Sequence, residues 1–135
     1  MDKKFKGIKI MAKFVYYNLN PKQLHVNDCM ARALAYFLGV TWHKAFLDIV
    51  EWCARRGWVE WNYRSKYYVY LSELGYERHK APEKGMTVGR FCDEFAEDGK
   101  VYMIQIKRHM TIVDNKEIHD IWDSSDRIVE GYWVR

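Results

Sequence analysis

The sequence predicts an α+β domain in which N-terminal helices pack on a C-terminal antiparallel β-sheet. Apolar residues recur at helical spacing before residue 99, and strand-forming runs follow from Lys100 onward. No internal repeat, low-complexity tract or interdomain linker divides the chain. Its 135 residues, 49% of them hydrophobic, are enough for one core, so a single domain is expected.

The first twenty residues are predicted to form a basic arm that includes a strand. Residues 1–23 hold six lysines against one aspartate, whereas the rest of the chain is nearly neutral. The segment from Ile8 to Tyr17 is rich in β-branched and aromatic residues, which favours a strand. Such an arm could contact nucleic acid, but solvated lysines are the more common case and are expected here. Residues 21–135 are taken as the domain proper.

The first predicted helix runs from Cys29 to Leu38. Its apolar residues recur at helical spacing, and Gly39 suits a left-handed C-terminal cap. Asn27 or Asp28 is expected to cap its start. Cys29 therefore stands in the first turn, off the apolar face.

The two other cysteines lie on apolar faces of later helices. A second helix begins near Thr41 and carries Cys53, a third spans roughly residues 65–74, and a fourth after Thr87 carries Cys92. Both thiols are therefore predicted to be buried and free of disulfides. An odd number of cysteines without a C-x-x-C pair also argues against a disulfide framework or a structural zinc site.

Strand signals dominate the chain after Lys100. The predicted strands are Val101–Ile106, His109–Asp114, Glu117–Trp122 and Val129–Val134. Asn115 and Lys116 form a tight turn between the second and third of them. With that turn, opposing residue numbers sum to 231, which puts His109 and Asp120 on one face of the hairpin and Asp123 and His119 on the other.

Cys29 is the candidate nucleophile. Unpaired N–H groups and the positive end of a helix dipole stabilise a thiolate, and a nearby imidazolium lowers the pKa of a thiol further. The alternative is an ordinary buried cysteine at the start of a helix. His109 is the candidate base, and Asp120, diagonal to it, is expected to accept its N–H and fix its tautomer.

Gln23 is the candidate oxyanion donor. It lies six positions before Cys29, so its side-chain amide could return beside the thiol and act with the backbone N–H of Cys29. The alternative is an exposed polar residue of the loop. No metal or cofactor is expected, because His109 and His119 occupy opposite faces and the other histidines are not spaced like ligands.

The motif around the thiol resembles papain-like cysteine peptidases. Gln23, the run from Asn27 to Ala35 and the aromatic-rich helix ending at Gly39 are similar to the bacteriocin-processing peptidase group, whose Gln also lies six residues before an Asp-Cys pair. The region from Gly99 to Trp133 is similar to small phage-encoded proteins of that superfamily. The resemblance covers about residues 21–135.

The resemblance implies a papain-like fold and catalytic roles for Gln23, Cys29, His109 and Asp120. Two departures accompany it. Met30 stands where the family usually has Gly, and the acid follows the histidine by only eleven residues, which leaves Asp123 and Asp114 as alternative third members.

The expected function is cleavage of peptide or isopeptide bonds in a protein or peptide substrate. The main alternative is a catalytically silent papain-like protein that captures a host protein, and a weaker one is nucleic-acid binding through the lysine-rich arm. Neither a secretory signal nor a membrane-spanning run occurs. A cytoplasmic protein is expected, in the host cytoplasm if it is phage-encoded, with no membrane partner.

Overall fold

The computed structural model describes residues 12–135. Its helices are α1 (Cys29–Leu38), α2 (Trp42–Ala54), α3 (Arg64–Glu73) and the single turn α4 (Val88–Arg90), which continues as a π-helical turn, Phe91–Phe95. The strands are β1 (Lys13–Tyr16), β2 (His79–Lys80), β3 (Val101–Ile106), β4 (His109–Asp114), β5 (Glu117–Asp120) and β6 (Gly131–Val134). Their order across one sheet is β1-β5-β4-β3-β6-β2.

The sheet is mixed, which corrects the expectation of a purely antiparallel one. Strands β3, β4, β5 and β6 pair antiparallel as predicted, but β1 pairs in parallel with β5. Part of the predicted arm, Lys13–Tyr16, thus belongs to the sheet, whereas residues 8–11 of the predicted first strand lie outside the described residues. Within residues 12–135, no helix has the length and apolar character that a membrane span requires.

The first helix has the predicted bounds and the predicted C-terminal cap. Gly39 adopts a left-handed conformation with φ +69°, and its N–H bonds carbonyl groups of the last turn. Asp28 occupies the N-cap position, but its side chain bonds none of the first-turn N–H groups. The apolar face of α1, including Leu34 and Phe37, is buried against the sheet.

The predicted fourth helix is shorter than expected. Thr87 caps α4 by accepting from the Arg90 N–H, and the chain then closes a π turn in which the Ala96 N–H donates to the Phe91 carbonyl. Cys92 lies in this turn and is fully buried, as predicted, and so is Cys53 in α2. All three cysteines are free thiols.

Core residues cover both faces of the sheet. Alternation along the strands sends Met103 and Ile112 to one face and Ile104 and Val113 to the other. The first face packs against α1, α2 and α3, and the second against the segment that contains α4 and the π turn. The helical layer therefore holds α1 firmly against β4.

The hairpin of β4 and β5 has the predicted register. Ile112 faces His119 and Asp114 faces Glu117, so opposing numbers sum to 231. Asn115 and Lys116 have φ values of +52° and +63°, the two positive angles of a type I′ turn. The register brings the start of β4 and the end of β5 to the same end of the sheet.

Candidate active site

Cys29, His109 and Asp120 meet at one end of the sheet, where α1 and β4 begin and β5 ends. The Cys29 thiol lies close enough to the His109 ring for the two groups to interact. His109 Nε2 lies 2.6 Å from Asp120 Oδ2, so that the His109 N–H donates a hydrogen bond to the carboxylate. Since Nε2 faces the carboxylate, Nδ1 is the ring nitrogen left for the sulfur.

The pKa of the Cys29 thiol lies below its ordinary value. Burial alone would raise it, but the hydrogen bond and the charge of His109 outweigh burial, with help from the Met110 backbone and the positive charge of Arg32. The surroundings of Cys29 therefore favour its thiolate form more than water does.

Burial disfavours the charged forms of His109 and Asp120, yet each stabilises the charge of the other. Its interactions with Asp120 and Cys29 raise the pKa of His109 to about 9 despite burial. The pKa of Asp120 is lowered, because the contact with His109 and the Ile121 N–H outweigh the effect of burial. The surroundings thus favour the imidazolium form of His109 and, beside it, the thiolate form of Cys29, with a carboxylate on the other side of the ring.

Arg32 holds the second oxygen of Asp120. Its Nη1 donates to Asp120 Oδ1 at 2.9 Å, and the Ile121 N–H donates to the same oxygen at 2.7 Å. Arg32 Nε donates to Asp28 Oδ1 at 2.8 Å, and all three charged side chains are buried. The Arg32 guanidinium therefore connects Asp28, the residue before Cys29, to Asp120, the carboxylate that bonds His109.

Asp28 is fixed from two further sides. Its Oδ2 accepts from Asn20 Nδ2 and from Trp42 Nε1, both at 3.0 Å. These contacts explain why its carboxylate does not cap α1. Sequence reasoning missed this network, although the i, i+4 spacing of Asp28 and Arg32 is a recognisable signal for an ion pair on a helix.

Gln23 does not take the predicted position beside the thiol. Its backbone is left-handed, with φ +56°, and its Nε2 donates to the carbonyl oxygens of Asn18 and Asn20 at 2.9 and 3.2 Å. Both amide hydrogens are thereby used within the loop that precedes α1. In this structure Gln23 stabilises that loop, and the prediction of an oxyanion donor at this position is corrected.

The two alternative acids lie elsewhere. Asp123 is exposed and accepts from the Ser125 N–H, and Asp114 accepts from the Tyr36 hydroxyl at the far end of β4. Asp120 is therefore the carboxylate that the predicted register brings to His109.

A thiol beside an imidazole that is hydrogen-bonded to a carboxylate can form a strong nucleophile. Comparisons with family models, curated proteins and solved structures find no match to this chain.

Trp122 packs beside His109, with 4.7 Å between the centroids of the two rings. Among residues 12–135, no three His, Cys, Asp or Glu side chains converge as a metal site would require.

A groove of about 740 Å³ opens beside Cys29. Its walls come from the start of α1, the segment leading into α3 and the turn between β3 and β4. Three side-chain amides line it, those of Asn27, Asn62 and Gln105, together with the buried Tyr67. The groove is large enough to hold a short segment of peptide against the sulfur.

Proposed function

We propose that this chain is a cysteine-dependent hydrolase that cleaves peptide or isopeptide bonds through a triad of Cys29, His109 and Asp120. The proposal is supported by the adjacent Cys29 thiol, His109 ring and Asp120 carboxylate, in which His109 Nε2 lies 2.6 Å from Asp120 Oδ2. A structural cysteine needs no such partners, whereas an activated nucleophile needs a base and a group that orients the base.

A papain-like fold is part of the same proposal. The nucleophile begins a helix, the base begins a strand of the sheet on which that helix packs, and the acid ends the neighbouring strand. That arrangement agrees with the motif that surrounds Cys29 in the sequence.

In the proposed reaction the Cys29 thiolate attacks the carbonyl carbon of the substrate amide. The tetrahedral intermediate collapses when His109 Nδ1 gives its proton to the leaving amine, and a thioester forms. His109 then takes a proton from water, which adds to the thioester, and expulsion of the thiolate releases the acid. Asp120 keeps its charge throughout and stabilises the imidazolium.

The developing oxyanion would be stabilised at the start of α1. The first N–H groups of a helix have no partner within the helix, and the Asp28 side chain caps none of them here. Asn27 also lines the groove, so its side-chain amide is a candidate donor in addition to these backbone N–H groups.

We expect Asn27→Ala to lower turnover by up to roughly 10²–10³-fold, whereas Gln23→Ala should reduce thermal stability and spare turnover of the folded protein. The reverse result would restore Gln23 as the donor.

The proposal is tested by alkylation with iodoacetamide at neutral pH, followed by mass mapping. We expect Cys29 to react much faster than free cysteine, and the buried Cys53 and Cys92 to remain unmodified. His109→Gln should slow the reaction, since the thiol loses the imidazolium that lowers its pKa. Equally slow reaction of all three cysteines would contradict the proposal and favour a non-catalytic binding protein.

Hydrolysis itself is measured on a mixed peptide library, with cleavage products identified by mass spectrometry. The control is Cys29→Ala, which removes the sulfur and leaves the remaining site in place. New peptide ends that appear with the native protein and not with the variant support the proposal. If the native protein and Cys29→Ala give identical peptide mixtures although Cys29 is reactive, the site carries out thiol chemistry other than amide hydrolysis.

A further inference from the structure

The groove beside Cys29 has an uneven distribution of charge. Three permanent cations line it, Arg64 at the start of α3 and Lys107 and Arg108 in the turn between β3 and β4. Glu130 is the one carboxylate among the described lining residues. Within residues 12–135, no ion pair neutralises any of these three cations, and all three side chains are exposed to solvent.

Two of these cations occupy positions that local rules disfavour. Arg64 is the first residue of α3, where the helix dipole favours an anion. Arg108 stands in a two-residue turn with φ +57°, a conformation in which Gly or Asn is usual. Residues that violate local sequence preferences are expected mainly at functional or strained sites. The positions of Arg64 and Arg108 next to the groove therefore point to a role in binding.

We propose that this groove selects substrates that carry a carboxylate close to the scissile amide bond. The inference rests on the proposed function, because it concerns the substrate of the same thiol. Arg64 on one wall and the Lys107–Arg108 turn on the other attract an acidic segment, and the turn lies directly before His109. The same charges disfavour a basic segment.

The carboxylate has two chemical sources, an acidic side chain or the C-terminus of a peptide. Both place an anion near the same cations, so the groove charge alone supports either. Guanidinium groups bind either carboxylate through paired hydrogen bonds, which lysine does not.

The test compares two small alkylating agents of similar size, anionic iodoacetate and neutral iodoacetamide. The measured quantity is the ratio of their rates at Cys29, divided by the same ratio for free cysteine. A general change in thiol reactivity cancels in that ratio. We expect the double variant Lys107→Gln/Arg108→Gln, and separately Arg64→Gln, to lower it by roughly 3–10-fold, and added salt to lower it in the native protein.

The matched control is Arg55→Gln, which removes an exposed arginine of α2 that pairs with Glu51 rather than lining the groove. Its ratio should equal that of the native protein. If iodoacetamide reacts rapidly with Cys29 but the groove variants leave the ratio unchanged, the charge inference is overturned and the thiol proposal survives. If Cys29 reacts no faster than free cysteine in the native protein, both are overturned.

Peptide protection separates the two sources. One peptide carries an internal Glu with acetylated and amidated ends, and a second carries Gln with a free C-terminal carboxylate. A third, neutral peptide has Gln and both ends blocked. If the first peptide slows alkylation of Cys29 by iodoacetamide more than the neutral peptide does, the carboxylate comes from an acidic side chain. If the second peptide does so, the carboxylate comes from a C-terminus. Equal protection by all three would overturn the inference.

Discussion

Asp120 divides its two carboxylate oxygens between the base and the scaffold. Oδ2 bonds His109, while Oδ1 bonds Arg32 and the Ile121 N–H. In Asp120→Asn, the side-chain oxygen could still accept hydrogen bonds on one side. The NH₂ group would then face a hydrogen-bond donor on the other side. The imidazole would then lose the tautomer that presents a base to Cys29.

We therefore expect Asp120→Asn to lower turnover strongly, by up to about 10⁴-fold as in related triads. Asp123→Asn is the control, because Asp123 is exposed and lies away from the ring. Both variants are compared by rate of peptide hydrolysis and by labelling with an activity-based probe. A large defect in Asp123→Asn alone would assign the third member to that residue, and indifference of both variants would indicate a Cys-His dyad.

The ionisation of the pair predicts a bell-shaped dependence of kcat/KM on pH. The thiolate is lost as pH falls through the lowered pKa of Cys29, and the imidazolium that protonates the leaving amine is lost as pH rises through about 9, the pKa of His109. The alkaline limb should therefore lie near pH 9. In any Asp120→Asn protein active enough to measure, it should move to lower pH, because the carboxylate that raises the His109 pKa is gone. A native alkaline limb near the ordinary imidazole value of about 6.5 would contradict this.

At the scale of elements, Arg32 ties α1 to β5. It pairs with Asp28 on its own helix and with Asp120 at the end of the strand, and all three are buried. Removing one partner of a buried pair leaves charge without compensation. We expect Arg32→Met to reduce the free energy of unfolding by about 3–5 kcal/mol.

Urea unfolding measures that loss, with Arg55→Met as the control. Arg55 forms an i, i+4 pair with Glu51, but both side chains are exposed, so solvent screens the interaction. The control should change stability little. Equal midpoints for Arg32→Met and the native protein would show that α1 docks on the sheet without this link.

Local signals predicted most of the elements and the pairing of the base with its acid. Gly39 ends α1 and the Asn115-Lys116 turn sets the hairpin register, because each depends on residues only a few positions apart. The place of β1 could not be predicted in this way. Its parallel pairing with β5 joins Lys13 to Glu117, more than a hundred positions away.

The same reasoning explains the errors at the site. A spacing of six residues predicted that Gln23 would reach Cys29, but the left-handed backbone at Gln23 turns its amide toward Asn18 and Asn20. Spacing alone carries no information on such a conformation. Arg32 was missed because its contact with Asp120 is a tertiary one, although its pairing with Asp28 is readable from the helix.

At the scale of the whole molecule, two buried thiols report on the two sides of the sheet. Cys53 lies in the helical layer, and Cys92 lies in the core cluster on the opposite face. We expect both to be labelled at the same urea midpoint, because small single domains unfold cooperatively. Separate midpoints, measured by mass spectrometry after short pulses of alkylating agent, would show that the two layers unfold independently.

The long separation between Cys29 and His109, 80 positions in the chain, also has a consequence during synthesis. Cys29 leaves the ribosome well before His109 does, and until then the thiol lacks the imidazolium that lowers its pKa. An ordinary thiol, with a pKa of about 8.5, is mostly protonated at neutral pH and reacts slowly with oxidants and electrophiles. Under the proposed function, reactivity arises only when the hairpin of β4 and β5 docks beside α1, so that the chain would acquire its chemistry at the moment it completes its fold.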